Sequence, residues 1–99
     1  MSGNYKLDGH TSVEVADILE WAMWYENSGA ERQVAVTHIG DVLVSTVFLG
    51  LDHNFCGGAP ILFETMVFGG LHDQLQERCA TWEEAEKMHE ATVQLVKAP

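Results

Sequence analysis

Val34-Ala35-Val36-Thr37-His38-Ile39-Gly40-Asp41-Val42-Leu43-Val44-Ser45-Thr46-Val47-Phe48-Leu49-Gly50-Leu51 reads as two strands and the turn between them. β-Branched and aromatic residues fill both halves, and such side chains pack well on a pleated surface. Gly40-Asp41 is a two-residue turn with glycine first, which suits a type II′ hairpin. Closing the hairpin there pairs Ile39 with Val42 and His38 with Leu43. The second strand, Val42 to Leu51, is apolar on both faces. Val42, Val44 and Phe48 share one face, and Leu43, Val47, Leu49 and Leu51 the other. A strand buried on one side only alternates more cleanly. This strand is therefore central, and its second face needs a cover.

Downstream, Asp52 to Pro60 is a glycine-rich loop. Ile61 to Phe68 reads as a third strand with Glu64 in its middle. Gly69 to Asp73 turns the chain. Leu75 to Ala80 is a shorter, more polar fourth strand, fitting an edge. Thr81-Trp82-Glu83-Glu84 is a capping box. It opens a helix from Trp82 to about Lys97, with Ala85, Met88, Thr92, Leu95 and Val96 on one face. Upstream, Thr11-Ser12-Val13-Glu14 has the same capping pattern. Val15, Ile18, Leu19 and Ala22 follow at helical spacing, and Asn27-Ser28-Gly29 supplies a stop. The spacing predicts a helix over 12–27, preceded by a loose arm over residues 1–10. The expectation is one α+β domain over residues 1–99, in the order α-β-β-β-β-α. Its sheet is a four-stranded antiparallel meander with both helices on one face. Two helices cannot cover both apolar sheet faces, so a homodimer is expected.

The chain has 99 residues, of which 46% are hydrophobic and 20% charged, a composition that folds. Acidic residues outnumber basic ones 15 to 5, for a formal charge of −10. That argues against direct nucleic-acid binding, which needs clustered Lys and Arg. It argues equally against an anionic membrane surface. No apolar run approaches the roughly 18 residues of a membrane span. Met1 to His10 lacks an apolar core, so no signal peptide is expected. Cys56 and Cys79 are too few for a disulfide scaffold, and reduced thiols in a cytoplasm are the default.

Asp52-His53-Asn54-Phe55-Cys56-Gly57-Gly58 concentrates Asp, His and Cys at one end of the sheet. It reads as a pocket floor with His53 as acid, base or ligand. The leading reading is a long hairpin loop that needs glycine to turn and whose Asp52 and Asn54 bond local backbone. Glu64 on a central strand needs a partner. Arg78 would make a cross-strand ion pair, and His53 would make a perturbed pair of catalytic character. His53, Cys56, His72 and Cys79 lack the two close-spaced pairs of a structural zinc site. No metal or cofactor is expected. Cys56 with His53 lacks an activating base. No phosphate loop or dinucleotide fingerprint is present. Trp21, Trp24 and Tyr25 lie beside the apolar stripe of the first helix. They suit core packing, with one left to contact a partner or stack a nucleobase. Glu14, Asp17 and Glu20, and again Glu83, Glu86 and Glu90, recur every three positions. Each set reads as a solvated face, or as a negative surface for a basic, DNA-binding partner.

Three strings carry a resemblance: Ser45-Thr46-Val47-Phe48-Leu49-Gly50-Leu51-Asp52-His53, Leu62-Phe63-Glu64-Thr65-Met66-Val67-Phe68-Gly69-Gly70, and Thr81-Trp82-Glu83-Glu84-Ala85 with His89. Over residues 18–96 the chain resembles a family of short uncharacterised proteins encoded by bacteriophages and prophages. The resemblance implies a viral source and the cytoplasm of an infected bacterial host, and it implies no activity. Three functions stay open. One is a non-enzymatic accessory protein that binds and inhibits a host factor, such as an antiviral defence component. Another is a protein that sequesters a nucleotide signal, using Asp52 to Pro60 with Trp21, Trp24 and Arg78. The third is a small enzyme using His53 and Glu64.

Overall fold

Eight elements build the protein in a computed structural model that describes residues 3–54 and 56–99. They are β1 (Tyr5–Asp8), β2 (Thr11–Glu14), α1 (Ile18–Asn27), β3 (Gln33–Ile39), β4 (Val42–Phe48), β5 (Phe63–Phe68), β6 (Gln76–Cys79) and α2 (Trp82–Lys97). The last four strands form an antiparallel sheet in sequential order, β3-β4-β5-β6. The decisive hairpin pairs Ile39 with Val42 and His38 with Leu43, as expected, and Gly40 takes φ +59 in its turn. β6 is an edge strand.

The beginning of the chain differs from the expectation. The arm expected over residues 1–10 is, in its described part from residue 3, not loose, and no helix starts at residue 12. Instead β1 and β2 form a separate two-stranded hairpin, with Lys6 opposite Val13 and Leu7 opposite Ser12. Gly9 at φ +62 makes its turn. Thr11 and Val13 are strand formers, and buried Leu7 anchors the hairpin in the core. The cap of α1 is Asp17, whose Oδ1 accepts from Leu19 N at 2.9 Å and Glu20 N at 3.4 Å. A carboxylate one residue before the helix satisfies orphan amides that Thr11 is too distant to reach. The order is therefore β-β-α-β-β-β-β-α. Glu14 sits in a strand and Asp17 is a cap, so no helical stripe of Glu14, Asp17 and Glu20 exists.

α2 packs along β3 to β6 and is capped as its sequence indicated. Thr81 Oγ1 accepts from Glu84 N at 3.2 Å, and Glu84 Oε1 accepts from Thr81 N at 3.1 Å. The strand register builds the core as three rungs. Phe48 lies opposite Phe63, Thr46 opposite Thr65, and Val44 opposite Val67, all buried. α2 meets these rungs in turn with Trp82 and Ala85, then His89, then Val93. These positions recur at helical spacing, so Leu95, expected inward, is exposed and His89 is buried instead.

The two helices do not share the sheet. α1 packs against β1 and reaches the core through Trp24, edge-on to Phe48 at 5.9 Å. The opposite sheet face carries Val36, Leu43, Val47, Met66 and Phe68, with Val36 and Phe68 exposed. No helix among the described residues lies on that face. β4 ends at Phe48, short of Leu51, because Gly50 at φ +79 bends the chain. Among the described residues, no helix is long and apolar enough to cross a membrane.

Candidate functional site

The loop after β4 is built by its own side chains. Asp52 Oδ1 accepts from Asn54 N at 2.8 Å and from Ile61 N at 3.0 Å, tying the two ends together. Asn54 accepts from Cys56 N and donates to the Ala59 carbonyl. Gly57 and Gly58 take φ +84 and +94, which side chains rarely tolerate. His53 Nδ1 donates to the Leu51 carbonyl at 2.8 Å. Asp52 and Asn54 are thus Asx-type loop supports. Phe55, named above as a binding candidate, lies outside the described residues.

Glu64 resolves in the same direction. Its Oε2 accepts from Arg78 Nε at 3.0 Å and also from Gln76 Nε2. Register places Arg78 directly opposite Glu64 on β6. The cross-strand ion pair is what satisfies the carboxylate, and His53 Nδ1 bonds to backbone. Arg78 is accordingly engaged on the open sheet face.

Trp21 and Trp24 are packing residues. Trp21 Nε1 donates to the Tyr5 carbonyl at 2.8 Å and its ring tilts against Tyr25 at 5.0 Å. A Cβ at Gly50 would meet both rings at 3.2 Å, so glycine lets α1 close on the end of β4. Arg32 lies over Tyr25, 3.7 Å from its ring centre, and donates to the Tyr25 carbonyl. Cys56 is exposed and Cys79 half-buried, both as free thiols. Burial, reinforced by Glu84, pushes the Cys79 thiol up to about 11, which leaves it unreactive near neutrality.

With Trp21, Trp24, Tyr25 and Ser28 turned inward, α1 must turn its aliphatic side outward. At 100° per residue, Leu19, Ala22 and Met23 fall away from Trp21, Trp24 and Ser28, while Ile18 lies at the border beside Tyr25. Ile18 is 64% exposed, Leu19 73% and Met23 68%, and α1 has no buried residue. The sequence expectation had this face reversed. Aliphatic periodicity alone pointed Ile18 and Leu19 inward. The signal that corrects it is the bulk of three aromatics at 21, 24 and 25, which one small core can accept only on one side. Exposed Asp17, Glu20 and Glu26 share the segment, exposed Glu14 and Glu31 flank it in sequence, and no Lys or Arg occurs from residue 14 to 31.

No family model, curated protein or solved structure matches the chain.

Proposed function

We propose that this is a small acidic accessory protein that acts by occupying a basic protein partner through α1. The partner of best fit is a host factor such as a component of antiviral defence. The observation that carries this reading is the outward stripe of Ile18, Leu19 and Met23. A ten-residue helix is marginal on its own, and large aliphatic side chains held in water gain nothing for the fold. Contiguous exposed apolar surface rimmed by polar groups marks interaction sites. Every charged residue from 14 to 31, from which the rim is drawn, is acidic, so the complementary surface offers apolar contacts edged by Lys and Arg. A net charge of −10 attracts such a partner from a distance. A second copy would bring the same carboxylates against this rim, so α1 does not face itself. The resemblance to bacteriophage-encoded proteins supports the host-factor side of the reading.

Binding is favoured over catalysis because the chemistry-bearing side chains are engaged elsewhere. Asp52 and Asn54 hold their loop, Glu64 holds Arg78 and Gln76, and the Cys79 thiol is pushed up. The test compares the protein with Leu19→Asp and Met23→Asp as bait in bacterial lysate at low and high salt. The expected result is a basic protein retained at low salt and lost with either variant. Each substitution should weaken the purified complex by about 2 kcal/mol or more, as central interface anchors do. Stability should change by no more than about 0.5 kcal/mol, because both sites are exposed. Partners retained equally by both variants would refute the α1 surface.

A further inference from the structure

A cavity of about 370 Å³ lies between the β1–β2 hairpin, the end of the Asp52–Pro60 loop and the start of α2. Tyr5, His10, Pro60, Leu62, Thr81 and Trp82 are among its walls. The volume falls in the range of small-ligand pockets, roughly 300–1,000 Å³. Its lining includes Glu83 and neither Lys nor Arg.

Two features of the Trp82 indole, one of the cavity's walls, point to a ligand. The first is a ring already stacked on that indole. The imidazole of His10 lies 3.8 Å from the Trp82 indole with 8° between their planes. His10 is an exposed turn residue, and among the described residues no hydrogen bond ties Gly9 or His10 to the body. A flat nitrogen heterocycle is thus held on the indole by stacking alone. The second is Trp82 itself, only 8% exposed. Its Nε1–H is buried and has no hydrogen-bond partner among the described residues. Buried indole N–H groups ordinarily find an acceptor, and an orphaned one calls for an explanation. Trp21 on α1 does find one, the Tyr5 carbonyl.

We propose that this cavity binds an uncharged nucleoside, whose flat base replaces His10 on the Trp82 indole and whose sugar oxygen accepts from Trp82 Nε1. Stacking accepts any base, because every base has a π-face. The Gly9–His10 turn lifts to admit the ligand, with Gly9 at φ +62 as its pivot. Glu83 and the absence of cationic lining disfavour a phosphate, so the free nucleoside is preferred to its nucleotide. The site is separate from α1 and does not depend on the partner proposed there.

The experiment follows the three tryptophan indole N–H signals of the ¹⁵N-labelled protein during titration with adenosine, guanosine, cytidine and uridine, and with their 5′-monophosphates. The signal missing from Trp82→Phe assigns Trp82. The expected result is a saturable shift of that signal with at least one nucleoside, several-fold weaker for its monophosphate. His10→Ala removes the resident ring from an exposed turn, so this variant folds and should bind several-fold more tightly. Should Trp82→Phe fail to fold, the His10→Ala comparison still decides. No shift of the Trp82 signal with any nucleoside, equal binding of the monophosphate, or no gain in His10→Ala would each overturn the proposal.

Discussion

His89 sits inside the core with both ring nitrogens engaged. Nε2 meets Thr37 Oγ1 at 2.8 Å and Nδ1 meets Thr46 Oγ1 at 2.7 Å, and Thr46 in turn meets Thr65 at 2.5 Å. Hydroxyls can donate or accept, so a neutral imidazole is satisfied in either tautomer. Burial lowers the His89 pKa, with Glu90 acting weakly the other way. The unfolded chain therefore takes up this proton first as the pH falls. The contribution of His89 to stability is complete above about pH 6.5 and declines below it. Urea denaturation between about pH 7.5 and 5.5 should show this decline in the parent protein and not in His89→Leu. At neutral pH that variant should be about 2–4 kcal/mol less stable, from unpaired threonine hydroxyls and imperfect filling of the site. Equal pH dependence in the two proteins would mean that His89 is not the buried titrating group. The sequence showed α2 as an amphipathic helix with Ala85, Thr92 and Val96 inward, but it pointed Leu95 inward and left out Trp82, His89 and Val93. The three facing threonines were not legible, because strand register brings Thr37, Thr46 and Thr65 together from three separate strands.

At the scale of elements, the two Thr-x-x-Glu strings make a controlled comparison. Thr81 to Glu84 caps α2, and Thr11 to Glu14 is a strand. The four-residue pattern fits both outcomes, and the context decides between them. Gly9 allows a tight turn before Thr11, and Tyr5-Lys6-Leu7-Asp8 offers a strand to pair with. Thr81→Ala and Asp17→Ala should each cost about 1 kcal/mol in thermal or urea unfolding, as lost N-caps do. Thr11→Ala should cost no more than about 0.5 kcal/mol. A Thr11 penalty as large as that of Thr81 would restore the helix over 12–27. The turn and register of the β3–β4 hairpin were legible because its turn and flanking strands agree, whereas the end of β4 was read three residues too far. α1 was legible as a helix but not in its orientation, since aliphatic and aromatic stripes competed for the core. The Asp52–Pro60 loop was legible as a loop. That Asp52 and Asn54 bond local backbone was legible too; which groups they reach, Ile61 N and the Ala59 carbonyl, was not, because only the folded loop brings those beside them.

For the whole molecule, charge and apolar surface are segregated. The open sheet face carries Val36, Leu43, Val47, Met66 and Phe68, and its one ion pair, Glu64–Arg78, is internally neutral. α1 presents aliphatic residues in a segment, 14 to 31, whose charged residues are all acidic. A second copy can therefore meet the sheet face without opposing like charges, which suits the homodimer expected from the sequence. Light scattering should give a dimer at micromolar concentration and a monomer for Met66→Lys. A monomeric parent protein would refute this arrangement. The central claim concerns α1, and site-specific photocrosslinking tests it most directly. A photoreactive amino acid is placed at Leu19 in one protein and at Leu71, which is 94% exposed, in another. Both are expressed in bacterial cells. The account predicts a crosslink from position 19 to a basic host protein and none to that protein from position 71. The same adduct from both positions, or none from position 19, would contradict it.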